Sequence, residues 1–128
     1  MMDGLVVYTA HRSYAGRDRL DITIKQQDPE GRFFAPEASA FRAYSDLKKA
    51  GLLTLAAWAD YENKYRAHME TVAAEHWERL RARREVTLVC FCDGASFCHR
   101  RVLAEILAAR GAVYRGERPR VRRGDAAD

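Results

Sequence analysis

Cys98 and His99, followed by Arg100 and Arg101, close a sixteen-residue stretch from Val86 that holds all three cysteines of the chain and one of its four histidines. A thiol, an imidazole and a guanidinium side by side offer a nucleophile, an acid/base and a counter-charge. Their value depends on where each one points. Val86 to Cys92 reads as a buried strand, Asp93-Gly94 as a turn, and Phe97 to Arg110 as a helix stopped by Gly111. In that helix Val102, Leu103, Ile106 and Leu107 define the buried stripe. At about 100° per residue, His99 falls near the centre of the stripe, Cys98 and Arg100 lie on its flanks, and Arg101 faces solvent. The unpaired N–H groups of a helix's first turn carry partial positive charge, which favours an anion or a thiolate there. If the reaction is covalent, Cys98 is the expected nucleophile, with His99 or His11 as acid/base.

The elements that must position these groups follow from the rest of the chain. Leu5 to Thr9 is an apolar, β-branched run, the pattern of a strand covered on both faces. If it runs parallel to Val86–Cys92, the loop after it reaches the same sheet edge, where ligands bind in open α/β sheets. Thr9, His11, Arg12 and Tyr14 then line the same hollow as Arg100. Leu20 to Lys25 alternates as a half-buried strand does, and Asp28-Pro29-Glu30-Gly31 is a turn. Phe33 to Pro36 is expected to be a loop pinned by its rings. Ser39 to Ala50 reads as a helix capped by Ser39, with Phe41, Tyr44 and Leu47 on its apolar face and Gly51 at its end. Thr54 to about Arg84 is helical without Gly or Pro, carrying Trp58, Tyr61, Tyr65, Met69, Val72, His76 and Leu80 along one face. Its length of roughly 45 Å is too great for so small a domain, so a break is expected between Ala67 and Glu75. Ala112 to Tyr114 makes a last short strand. The order predicts an α/β domain, a small and largely parallel sheet flanked by helices, over residues 1–117.

With 128 residues the chain is long enough to bury a real core. No apolar run reaches the roughly 18 residues of a membrane span, and the amino terminus lacks the basic and apolar regions of a signal peptide. A cytoplasmic location is expected, and no membrane partner. Cysteines there are reduced thiols or ligands rather than a disulfide framework. The net charge of +4 is unevenly placed: six arginines fall between Arg110 and Arg123 against one acidic residue, Glu117. Residues 118–128 form a basic, non-periodic tail, expected to be flexible. Arg118, Arg120, Arg122 and Arg123 make nucleic acid an alternative partner.

Several sharper motifs fail on spacing. Cys90 and Cys92 share a strand face while Cys98 and His99 diverge around a helix, so a zinc site is set aside and no metal ligand is assigned. The cysteine-phosphatase loop requires an arginine where Cys98 stands. A redox Cys-x-x-Cys pair, a Walker loop and a dinucleotide fingerprint are missing, so no cofactor is expected. In a reduced protein Cys90 and Cys92 read as small packing residues, and a core-facing His99 that holds a backbone carbonyl competes with a catalytic one. A thiol-based metal or redox site remains a further alternative.

Strand, turn and then Cys98-His99-Arg100-Arg101 opening an Ala/Leu-rich helix resembles the family called domain of unknown function 488. Val7-Tyr8-Thr9-Ala10, Leu20-Asp21-Ile22-Thr23, Phe34-Ala35-Pro36 and Gly111-Ala112-Val113-Tyr114-Arg115-Gly116-Glu117 resemble its small bacterial and phage members. The resemblance implies an α/β fold and a site at the Cys-His-Arg triplet, without an activity. The leading expectation is a protein that binds an anionic small molecule, a nucleotide or related phosphate compound, at this helix start, with Arg100 and Arg12 as counter-charges and Thr9 and Tyr14 positioning it.

Overall fold

Four of the apolar runs pair into a single parallel sheet in the computed structural model, which describes residues 1–25, 28–90 and 98–119. Its strands are β1 (Val6–His11), β2 (Arg19–Asp21), β3 (Glu85–Cys90) and β4 (Val113–Glu117), in the order β2-β3-β1-β4. The helices are α1 (Ala38–Lys49), α2 (Leu55–Met69), α3 (Ala74–Ala82) and α4 (His99–Ala109). Because every strand runs the same way, His11, Asp21, Cys90 and Glu117 all end at one edge, and α4 begins at that edge. β1 pairs with β3 from Val6↔Glu85 to His11↔Cys90 and with β4 on its other side.

Alternation along the strands sorts the two faces. Val7, Val86 and Leu88 join Val102, Leu103 and Leu107 of α4 in the core, with Tyr65 and Met69 of α2 behind them. Tyr8 and Thr87 therefore face the other way. The predicted break in the long helical segment falls between Met69 and Ala74. After it the buried face is carried by Trp77 and Leu80, and His76 is only half-buried, stacked on Phe33 with ring centroids 3.5 Å apart.

Some boundaries differ from expectation for identifiable reasons. The second strand stops at Asp21 instead of running to Lys25, because the Asp21 carboxylate accepts from the Thr23 amide at 2.9 Å and hydroxyl at 2.7 Å. That local bonding turns the chain out of the ladder. Helix α1 is capped by Glu37, not Ser39: the Glu37 carboxylate accepts from the Ser39 and Ala40 amides, both at 2.9 Å. The last strand extends to Glu117, past Tyr114. Phe33–Pro36 is pinned as expected, by a 3-10 turn over Gly31–Phe34 whose Phe34 ring meets Trp77 edge-on.

That turn is tied to α2 by one buried bond, the Tyr65 hydroxyl donating to the Phe34 carbonyl at 2.7 Å. Tyr65→Phe leaves this carbonyl without its donor, and urea unfolding is expected to show a loss of about 1–2 kcal/mol with an unchanged m-value.

Candidate functional site

The three consecutive residues singled out by the sequence are all buried: Cys98, His99 and Arg100 are 1%, 4% and 0% exposed. The inward phase of His99 and the outward face of Arg101 follow the helical stripe. Cys98 does not, because it is the N-cap of α4 with extended backbone (φ −135°, ψ 140°). A residue outside the helix escapes the 100° phase, so its side chain is free to swing toward the strand. There the Cys98 sulfur touches the sulfur of Cys90, the last residue of β3, although their Cα atoms are 7.9 Å apart. Cys90, expected only to pack, is thus part of the site.

Arg100 organises this group. Its guanidinium donates to both Glu117 carboxylate oxygens, at 3.2 and 2.6 Å, and its Nη1 lies 3.0 Å from the Cys90 sulfur and 3.7 Å from that of Cys98. Helix α4, β3 and β4 therefore meet at one buried cation. The Glu117 carboxylate answers the charge that the sequence reading assigned to a bound anion. Glu117 was visible beforehand only as the single acidic residue in an arginine-rich stretch.

His99 lies beside the two sulfurs, with a ring nitrogen within 4.8 Å of both. Its Nε2–H donates to the Ile22 carbonyl at 2.8 Å, and its ring lies against Tyr65 with centroids 5.4 Å apart. Burial is the main force holding its pKa down to about 4, so the ring is neutral at physiological pH. His99 also lines a cavity of about 350 Å³ between the segment after β2 and helix α1. Thr23, Ile24 and Lys25 form one wall; Phe41, Tyr44, Ser45, Lys48 and Lys49 form the other. Tyr44 is held by stacking on Tyr61, with centroids 4.3 Å apart. Of the predicted site residues, only His99 reaches this cavity. The other lining residues were missed, although Phe41, Tyr44 and Lys48 fall three and four apart on one helix face, a signal that a spacing search can find.

The loop after β1 contributes less than expected. His11 is the lateral partner of Cys90 across β1 and β3 and so sits beside the sulfurs, its Nδ1 3.0 Å from the Ser13 hydroxyl. Thr9 is fully buried and bonded to the Tyr114 hydroxyl at 2.7 Å. Arg12 is exposed. Tyr14 belongs to a separate cluster on the Tyr8 and Thr87 face. There its hydroxyl donates to Asp18 at 2.5 Å, and Asp18 also accepts from the Thr87 hydroxyl at 2.6 Å. Arg118 completes this cluster. It pairs with Asp18 at 3.4 Å, donates to Thr87 at 3.0 Å and stacks over the Tyr8 ring at 3.7 Å. Its backbone N–H donates to the Thr9 carbonyl at 2.7 Å, so the ordered chain continues past Glu117. Cys92, the Asp93-Gly94 turn, Phe97, Arg120, Arg122 and Arg123 lie outside the described residues.

A family model described as the Active DUF488-N3 subclade matches residues 3–111. No curated protein and no solved structure matches the chain. Among the described residues, no helix is long and apolar enough to cross a membrane.

Two outcomes test this geometry. Glu117→Gln withdraws the carboxylate from a fully buried guanidinium, and chemical denaturation is expected to show a loss of about 2 kcal/mol. The loss is smaller than for a wholly buried pair, because Glu117 is one-third exposed. The second concerns acid. Burial pushes the Asp18 carboxyl up, but its bonds from Thr87 and Tyr14 and the charge of Arg118 outweigh this and leave it below its ordinary 3.8. A folded value below the unfolded one gives stability that is complete above the unfolded value and lost as pH falls through 3.8 toward the folded one. Asp18→Asn removes that component, so its urea midpoint should fall less steeply than the wild type's between about pH 5 and about pH 2.

Proposed function

The chain belongs to the DUF488 family, in its Active DUF488-N3 subclade, and from that premise we propose that it binds a small anionic molecule bearing a planar ring, of the nucleotide class, in the cavity above His99. One observation carries the reading: a single cavity gathers Lys25, Lys48 and Lys49 with Phe41, Tyr44 and the buried His99. Its volume of about 350 Å³ lies in the range of small-molecule sites. Lysines act on phosphate as mobile point charges, aromatic rings offer a planar group a face to pack on, and the Thr23 and Ser45 hydroxyls can donate to polar edges.

The counter-charges in this reading are the lysines. Arg100 is bound to Glu117, and Cys98, His99 and Arg100 at the start of α4 are buried, so the phosphate end of the ligand lies toward the α1 side and not against that turn. The neutral His99, held by the Ile22 carbonyl, lends its ring to the cavity lining. A nucleic-acid partner has less support: Arg118, the first arginine of the basic tail, is engaged by Asp18 and Tyr8.

Isothermal titration against a panel of nucleoside mono-, di- and triphosphates, and inorganic phosphate, tests the proposal. Reversing two rim charges in Lys48→Glu/Lys49→Glu is expected to weaken nucleotide binding by about tenfold or more, and added salt should weaken wild-type binding in the same direction. Phe41→Ala should weaken nucleotides while leaving inorganic phosphate unchanged. Absence of binding by any nucleotide, or binding indifferent to the double reversal, would sink the reading.

A further inference from the structure

We infer that Cys90, Cys98 and His99 form a zinc-binding site, separate from the ligand cavity in that neither cysteine lines that cavity. One donor atom from each of the three residues lies within 4.8 Å of the others, and all three side chains are buried. Thiolate sulfur and imidazole nitrogen are the donor types that suit zinc.

Three independent features of the geometry support a metal over a disulfide or a simple pair of thiols. The first is the spacing of the backbone. The Cα atoms of Cys90 and Cys98 are 7.9 Å apart, beyond the roughly 7 Å that a disulfide spans without backbone movement. A zinc ion between the sulfurs replaces one S–S bond by two Zn–S bonds of about 2.3 Å each, which lengthens the bridge.

The second is the guanidinium. Arg100 presents its Nη1–H to the Cys90 sulfur at 3.0 Å in a place without solvent exposure. A neutral thiol is a weak acceptor, whereas a thiolate is a strong one. Two thiolates in contact repel each other unless a cation lies between them. Arg100 answers one flank, with its own charge balanced by Glu117, and the divalent ion answers the other.

The third is the histidine. Ligating histidines almost always donate their second ring N–H to a carbonyl or carboxylate, which fixes the tautomer. The His99 Nε2–H donates to the Ile22 carbonyl at 2.8 Å, leaving Nδ1 with the lone pair a metal needs. The extended N-cap conformation of Cys98 is what allows consecutive residues to converge on one point. These three donors fill three corners of a tetrahedron, and the fourth belongs to a further ligand.

The test uses the full chain, purified without a metal-affinity step, with zinc determined by elemental analysis. Stoichiometric zinc is expected in the wild type, falling tenfold or more in Cys90→Ser and Cys98→Ser. Cobalt added to chelator-treated protein should produce a thiolate-to-cobalt charge-transfer band, which His99→Asn shifts or weakens. The wild-type cobalt spectrum stands even where a cysteine variant does not fold. Lys48→Glu/Lys49→Glu should keep its zinc in full, so failure of nucleotide binding and failure of the metal site are separable. Substoichiometric zinc with no charge-transfer band, or two thiols found joined as a disulfide in protein prepared without oxidant, would overturn the assignment.

Discussion

A fully buried guanidinium is an expensive thing to fold around, and in this chain the sheet edge is built to satisfy it. Removing the Arg100 charge from water costs several kcal/mol unless partners restore its bonds. The partners come from three elements: Glu117 from β4, Cys90 from β3 and Cys98 from the cap of α4. Arg100 is thus a fixed point that decides where α4 begins, how far β4 must extend and which way the last side chain of β3 faces. Glu117 shows the dependence most clearly. A strand ending at Tyr114 would satisfy the apolar core, but it would leave the buried cation without its carboxylate.

The opposite face of the sheet solves a different problem by similar means. Thr87 is fully buried in the middle of β3, where its hydroxyl needs a partner. Asp18 supplies it, and the carboxylate is then shared with Tyr14 and Arg118. Arg118 closes the arrangement by lying over the Tyr8 ring while its amide continues the pairing onto Thr9. One ion pair on each face therefore fastens the chain around Glu117 and Arg118 to the sheet. The alternation of consecutive residues on β4's extension sends neighbouring charges to opposite sides.

Much of this was legible in the sequence where the information is local. Periodicity gave the α/β order, the break in the long helical segment and the inward phase of His99, because each depends on neighbours along the chain. The N-cap is not legible by phase: a helical phase puts Cys98 on a face that it does not occupy, which sets the thiols apart and leaves a metal only as a further alternative. The Glu37 cap and the early end of β2 were likewise hidden, since both are local side-chain bonds that compete with the expected pattern. The joining of Lys25 to the α1 side of the cavity is hidden for a different reason. Lys25 and Lys48 line one cavity only because the segment after β2 lies beside α1, and no periodic signal spans that distance.

His99 joins the two halves of the functional reading through its ring geometry. An imidazole has two nitrogens on opposite flanks, and its orientation here is set from outside by the Ile22 carbonyl and the Tyr65 ring. The backbone that holds His99 immediately precedes Thr23 and Ile24, which line the cavity. Anything that moves this segment on ligand binding therefore acts on the Nε2–H bond and, through the ring, on the contact within 4.8 Å between His99 and the two sulfurs. Conversely, an ion held by Cys90, Cys98 and Nδ1 fixes the ring and, through Ile22, the wall beside Lys25. A metal beneath and a ligand above would be coupled by one hydrogen bond, with the direction of coupling set by whether the ligand prefers the Ile22 carbonyl where it lies now. By linkage the effect must be reciprocal: a ligand that tightens the Ile22–His99 bond raises zinc affinity by the same factor by which zinc raises its own.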